Sequence, residues 1–127
     1  EIGGAFGGLV PMVNSDGNEI GGIIAPEISV PIAAHTGWTL RHADIGGESQ
    51  LLMFAGGTIP FPATESARLT AGDPRPSIES RYTSRDEYLS KVRASAEVLV
   101  SERYLLETDI ETSVSLGERM WNYFTDH

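Results

Sequence analysis

The strongest constraint on this 127-residue chain is the uneven placement of its glycines. Residues 1–60 hold 12 of the 14 glycines, six acids and one basic residue, Arg41. Residues 61–127 hold the other two glycines, 12 acids and eight basic residues. Glycine gives up more backbone freedom on folding than any other residue and weakens helices. The first part is therefore restricted to short strands joined by turns. The second, with mixed charge and little glycine, suits helices with solvated faces. The length fits one domain and one core serving both parts.

Local signals refine this outline. Glu1 to Gly8 is a glycine-rich lead-in. Asn14-Ser15-Asp16-Gly17-Asn18 is a strong turn, because Asn and Asp bond their own backbone and Gly accepts a positive φ. Leu9-Val10 and Met12-Val13 before it, and Ile20 to Ile24 after it, predict a hairpin whose first arm Pro11 confines to an edge. The apolar runs Ile28 to Ala34, interrupted at Pro31, and Leu51 to Ala55 have strand length. Thr64 to Ala71 reads as a short helix stopped by Gly72, and Asp73-Pro74-Arg75-Pro76 must be extended or turning. Ser84-Arg85-Asp86-Glu87 is a capping box, with the Glu carboxylate expected to reach back to the Ser84 amide. It opens a helix to about Arg103, with Tyr88, Leu89, Val92, Ala96, Leu99 and Val100 on one face. Thr108-Asp109-Ile110-Glu111 is a second box, followed by Ile110, Val114, Gly117, Trp121 and Phe124 on one face. The two predict a C-terminal helical hairpin.

Several chemistries are excluded. A net charge of −9 argues against nucleic acid and against anionic membrane surfaces as partners. No apolar run approaches the roughly 20 residues that span a bilayer. The absence of cysteine removes disulfides, thiolate metal sites and cysteine nucleophiles, and leaves the compartment open. No G-x-S-x-G elbow is present, since Gly47-Glu48-Ser49-Gln50-Leu51 ends in leucine. The glycine pairs fit turns and not a phosphate cradle, and the one lysine, Lys91, lies within a helix. His35 and His42 lack metal-ligand spacing, and Asp16 and Asn18 lack the rest of a calcium loop. No metal or cofactor is expected.

His35 is the candidate for chemistry. The run Ile32-Ala33-Ala34 delivers it toward Gly37-Trp38, an address suited to a general base with a pKa of about 6.5. The competing reading is an imidazole that merely bonds a nearby backbone carbonyl. Trp38 is the candidate substrate-binding aromatic, with a core anchor as its alternative, and Trp121 reads as a core anchor because it continues a helical stripe. His42, beside Arg41, reads as a surface residue, and His127 is terminal.

An ordered series of segments adds a resemblance. Asp16 to Ile23, Ala25 to Pro31, His35 to Arg41 and Gly57 to Phe61 are followed by Arg68-Leu69-Thr70-Ala71-Gly72-Asp73-Pro74-Arg75-Pro76-Ser77-Ile78-Glu79, then Arg81-Tyr82 and the helix from Ser84 to Val100. Together they resemble the C-terminal part of a bacterial family of α/β-hydrolase domain proteins, over nearly the whole chain. The family's Asn after Gly-Trp is Thr39 here.

The resemblance implies an α/β fold, with residues 1–127 forming a single partial domain: a strand- and turn-rich part over 1–60 and a helical part over 61–127. Full members are several times longer, so the chain is expected to be a C-terminal segment whose partner is the remainder of a parent hydrolase. A serine-type triad runs Ser, Asp or Glu, then His along the chain. The resemblance therefore implies His35 as triad base, a nucleophile upstream, a small-molecule ester as substrate and no activity from the isolated segment. Two alternatives stand beside this. One is a non-catalytic lid or docking module on a hydrolase body, and the other is an interaction domain that forms homo-oligomers.

Overall fold

The computed structural model describes residues 11–47, 50–52 and 55–126. The lead-in Glu1 to Gly8, the arm Leu9-Val10, the residues Glu48, Ser49, Met53 and Phe54, and His127 lie outside them. The architecture is mixed α/β, with short antiparallel strands followed by helices.

The chain enters through the turn at Asn14–Asn18, where the Asn14 amide donates to Asn18 O at 2.8 Å and the Gly17 amide to Asn14 O at 3.0 Å. Gly17 takes φ +87°, a conformation that favours glycine. Among the described residues the predicted hairpin shows one bridge, Val13 to Glu19, and Ile20 to Ile24 forms no strand. The run Ile28 to Ala34 is likewise not one strand. Pro26, with φ preset at the first helical position, starts the short helix α1 (Pro26–Ser29), and only then does β1 (Ala33–Thr36) begin. β2 (Thr39–Leu40) pairs with β3 (Leu51–Leu52), and β1 pairs with β4 (Gly57–Pro60), both antiparallel. Sequence periodicity does not announce β4, whose four residues begin with glycine and end with proline. Just before it, Gly56 passes so close to β1 that an added Cβ would lie 2.3 Å from Thr36 O.

The helical part follows the sequence more closely. α2 (Glu65–Ala71) is capped by the Thr64 hydroxyl and closed by left-handed Gly72. α3 (Ile78–Arg81) is capped by Ser77. α4 (Arg85–Ser101) is capped by Ser84, whose hydroxyl accepts from the Glu87 amide at 3.1 Å. The Glu87 carboxylate does not close the box on Ser84. It accepts from the Thr83 amide and hydroxyl at 2.7 and 2.6 Å and pairs with Lys91 at 2.8 Å. The second box does not form either. α5 (Ile110–Thr125) is entered through a 3₁₀ turn (Glu107–Asp109) with no side-chain cap, because Glu111 is drawn across to α4 in a two-pronged pair with Arg93.

The hairpin packs antiparallel, Arg93 against Glu111 and Arg85 against Glu118. Gly117 lets the helices close up, since a Cβ there would meet the Tyr88 hydroxyl at 3.3 Å. Tyr88 meets the Tyr82 ring edge-on at 5.1 Å and lies tilted against Trp121 at 5.2 Å. The core joins Val30, Ile32 and Ala34 from the first part with Phe61, Ile78, Tyr82, Tyr88 and Val92 from the second, flanked by Trp121 and Phe124. Trp121 is thus a core anchor, as its place in the stripe predicts.

The segment Asp73 to Glu79 acts as a brace. Arg75 folds back on Asp73 through its amide, Nε and Nη2, holding that carboxyl down at about 2. Buried Ser77 donates to Glu65 at 3.2 Å, and Glu79 accepts from the Glu65 amide at 2.9 Å. Arg75 and Arg81 lie over the Phe61 ring at 5.0 and 4.4 Å, and Arg81 also grips Asp16 with both terminal nitrogens. The turn at residue 16 is thereby tied to α3.

Two stability measurements follow. Asn18 is fully buried, donating to Ala33 O at 3.0 Å and accepting from the His35 amide at 2.7 Å. Asn18→Ala strands both backbone groups and is expected to cost about 1–3 kcal/mol in urea or thermal unfolding. After α4, Arg103 sits at φ +66°, and its amide and that of Tyr104 donate back to Val100 O and Leu99 O, the glycine-favouring helix stop with arginine in the glycine position. Arg103→Gly is expected to raise stability by about 0.5–1 kcal/mol in the same measurement.

Candidate functional site

His35 is the third residue of β1, opposite Thr58 of β4. Its backbone is fixed from both sides, by the β4 pairing and by the Asn18 side chain on the outer edge. Its ring is fixed by a 3.2 Å hydrogen bond between Nδ1 and the Thr58 hydroxyl. That partner is a side chain, not the backbone carbonyl of the competing sequence reading. Nε2 is shielded from water and has no hydrogen-bond partner among the described residues. Buried polar atoms are nearly always satisfied, so this nitrogen, like the buried Arg41 Nε, calls for a partner outside the described residues.

The imidazole lines a cleft of about 280 Å³ with Glu19, Ala25, Ile28 and Gly37. Glu19 lies beside Gly37, where an added Cβ would be 3.5 Å from its carboxylate. Burial lowers the His35 pKa from its ordinary value, and the negative charge of Glu27 offsets part of that fall. The ring is therefore neutral near pH 7, the state a proton acceptor needs. For Nε2 to accept, Nδ1 must carry the hydrogen and donate it to Thr58, a tautomer the hydroxyl can accommodate. The site thus holds an oriented imidazole whose Nε2 makes no hydrogen bond among the described residues. No described serine hydroxyl bonds it.

Other sequence candidates fall elsewhere. Trp38 is half-buried after β1, its carbonyl accepting from the Thr36 hydroxyl at 2.7 Å, and it is not among the residues lining this cleft. His42 is exposed and caps the 3₁₀ turn (Ala43–Ile45) by accepting from the Asp44 amide. Thr58, Glu27 and Asn18, which hold or influence the imidazole, escape sequence reasoning. The β-branched pair Thr58-Ile59 was the available signal for β4, and Asn18 was legible only as a turn residue. A separate concavity of about 1090 Å³ lies along α4 and shares only Ile23 and Ile24 with the histidine cleft.

The lowered His35 pKa has a signed consequence. The unfolded histidine, titrating near 6.5, binds its proton more readily than the folded one. This contribution to stability is complete above that value and is lost as pH falls toward the folded pKa. NMR titration of the His35 ring is expected to give a midpoint below 6.5, and Asn18→Ala, which frees the strand, is expected to move it back up.

Comparison with known proteins bears on the whole chain. The sequence model of a family described as "Alpha/beta hydrolase domain" matches residues 4–115. No curated protein and no solved structure matches the chain. With nearly its entire length matched, and with the mixed helix-and-strand architecture that the resemblance implies, the chain belongs to the alpha/beta hydrolase domain family.

Proposed function

We propose that this chain supplies the histidine base of a serine-type hydrolase acting on small-molecule esters, that Thr58 takes the orienting place at its Nδ1, and that the nucleophile comes from a longer parent protein. The carrying observation is the unpartnered, desolvated Nε2 of an imidazole held at ring and backbone. A purely structural histidine gains nothing from leaving that nitrogen unsatisfied. A nucleophilic serine oxygen would attack the ester carbonyl while its proton passes to His35 Nε2. Collapse of the tetrahedral intermediate expels the alcohol, which takes that proton. Water then attacks the acyl-enzyme, with His35 accepting its proton and returning it to the serine oxygen as the acid leaves. Thr58 holds the ring during both transfers.

A second reading, a docking or lid module, is favoured by a different observation. A concavity of about 1090 Å³ runs along α4, apart from the imidazole. In that case a complete triad would exist without His35.

The test uses a simple activated ester. The 127-residue chain alone is expected to give no turnover. In a parent chain carrying a G-x-S-x-G segment, His35→Ala is expected to lower kcat/KM by about four orders of magnitude. Turnover by the isolated chain would contradict the proposal. An unchanged rate in the parent variant would transfer the case to the docking reading.

A further inference from the structure

We propose that the cleft at His35 selects esters that carry a protonated amine, with Glu19 as the residue that binds the ammonium group. This rests on the catalytic reading of His35 and names the substrate class of that same site. It starts from an unopposed charge. Glu19 lines the cleft with the imidazole, and no basic residue lines it. Its half-buried carboxylate makes no hydrogen bond or ion pair among the described residues. Elsewhere the fold meets its half-buried acids with a cation: Asp16 with Arg81, Glu65 with Arg68, Asp73 with Arg75, Glu87 with Lys91 and Glu118 with Arg85. Asp109 has none, but it stands at the N-terminus of α5, where the helix dipole supports a negative charge. Glu19 has neither form of support.

The fold sets this charge close to the base. Asn18, bonded to Ala33 O and to the His35 amide, fixes the backbone immediately before Glu19, and Val13 bridges Glu19 itself. The carboxylate reaches over the end of β1, where an added Cβ at Gly37 would stand 3.5 Å from it. Gly37 is two residues past His35, roughly 6–7 Å of extended chain. A primary ammonium can donate to that carboxylate while an ester carbonyl a few bonds away lies toward the imidazole. Ile24, Ala25 and Ile28 supply an apolar wall for the methylenes between them, and a cleft of about 280 Å³ restricts the group to a short chain. Glu27 adds a second negative charge that is felt at the ring. With Glu19 neutralised by the ammonium, Glu27 remains to favour the imidazolium that forms as the serine proton is taken.

Proton NMR on the full 127-residue chain tests this, with butylammonium and uncharged 1-butanol as probes, at constant ionic strength and from about 1 to 100 mM. Read from the His35 ring and Gly37 amide signals, butylammonium is expected to bind about fivefold or more tightly than butanol. Glu19→Gln is expected to remove that preference. Glu102→Gln deletes the same charge at the other concavity and is expected to retain it. Butanol binding that is equal in all three chains shows that the cleft itself is intact. Equal binding of the two probes to the unaltered chain would overturn the proposal. So would an equal loss in both variants, since the attraction would then belong to the net charge of −9 and not to Glu19. In the parent hydrolase, Glu19→Gln is expected to raise KM about fivefold for a short aminoalkyl ester, with kcat changed less and the uncharged ester unaffected. An unchanged KM for the amine ester, the result if a cation of the parent already occupies Glu19, would also overturn it. The catalytic reading fails by a different result, an unchanged rate in His35→Ala, so the two are separable.

Discussion

The structure turns on one buried side-chain amide. Asn18 places its carboxamide against the outer edge of β1, donating to Ala33 O and accepting from the His35 amide. A neighbouring strand would make the same two bonds, so the amide stands in for a strand at the one edge that β4 does not cover. A two-stranded ribbon is marginal in water, and an unsatisfied buried backbone pair would cost a further few kcal/mol. Asn18 is itself fixed by the turn it ends, through its amide to the Asn14 side chain at 3.0 Å. Position in the turn, bonding of the strand and placement of the imidazole are therefore a single constraint.

That constraint is anchored to the helical part by charge and aromatic contact. Asp16, two residues before Asn18, meets Arg81 in a largely shielded two-pronged pair. The same guanidinium covers Phe61, which follows directly from β4, while the Phe61 amide donates to Ile32 O at 3.0 Å. Breaking one partner of a shielded pair leaves a charge without its counter-ion, which is far more costly than losing a surface pair. The segment around Asp73-Pro74-Arg75-Pro76-Ser77, the most distinctive stretch of sequence, is part of this anchorage. Its polar groups bond Ile59, Glu65, Arg68, Ser80 and one another, so its role is to hold α2 and α3 under the strands.

How much of this was legible depended on the range of the interaction that decides each element. The helices were legible because caps and three-to-four spacing are local: Ser84, Thr64 and Gly72 fall where the sequence puts them. The capping glutamates were not, because a cap carboxylate is free to choose among partners. Glu87 chose Thr83 and Lys91, and Glu111 chose Arg93 across the hairpin. The strands were the least legible. The run Ile28 to Ala34 divides because Pro26 nucleates a helical turn, whose Ser29 hydroxyl then meets Ser95 of α4 at 2.7 Å. β4 carries only the short β-branched signal Thr58-Ile59, and it forms because β1 offers an edge. His35 was legible as a position after an apolar run, and its ring partner Thr58 lies far along the chain.

The imidazole and the α4 groove can be altered separately because Ile23 and Ile24 stand between them, touching both concavities with apolar side chains. The cleft at His35 is small, carries the carboxylate of Glu19 and lies in the field of Glu27. An anionic substrate group would meet repulsion there, while a neutral ester would not. The groove is lined by Arg81, Lys91 and Glu102 among mostly apolar residues. If the chain contributes a single base, as proposed, that base has to be held in register with whatever carries the nucleophile. For this chain the register of the imidazole is set internally, by Asn18 and β4.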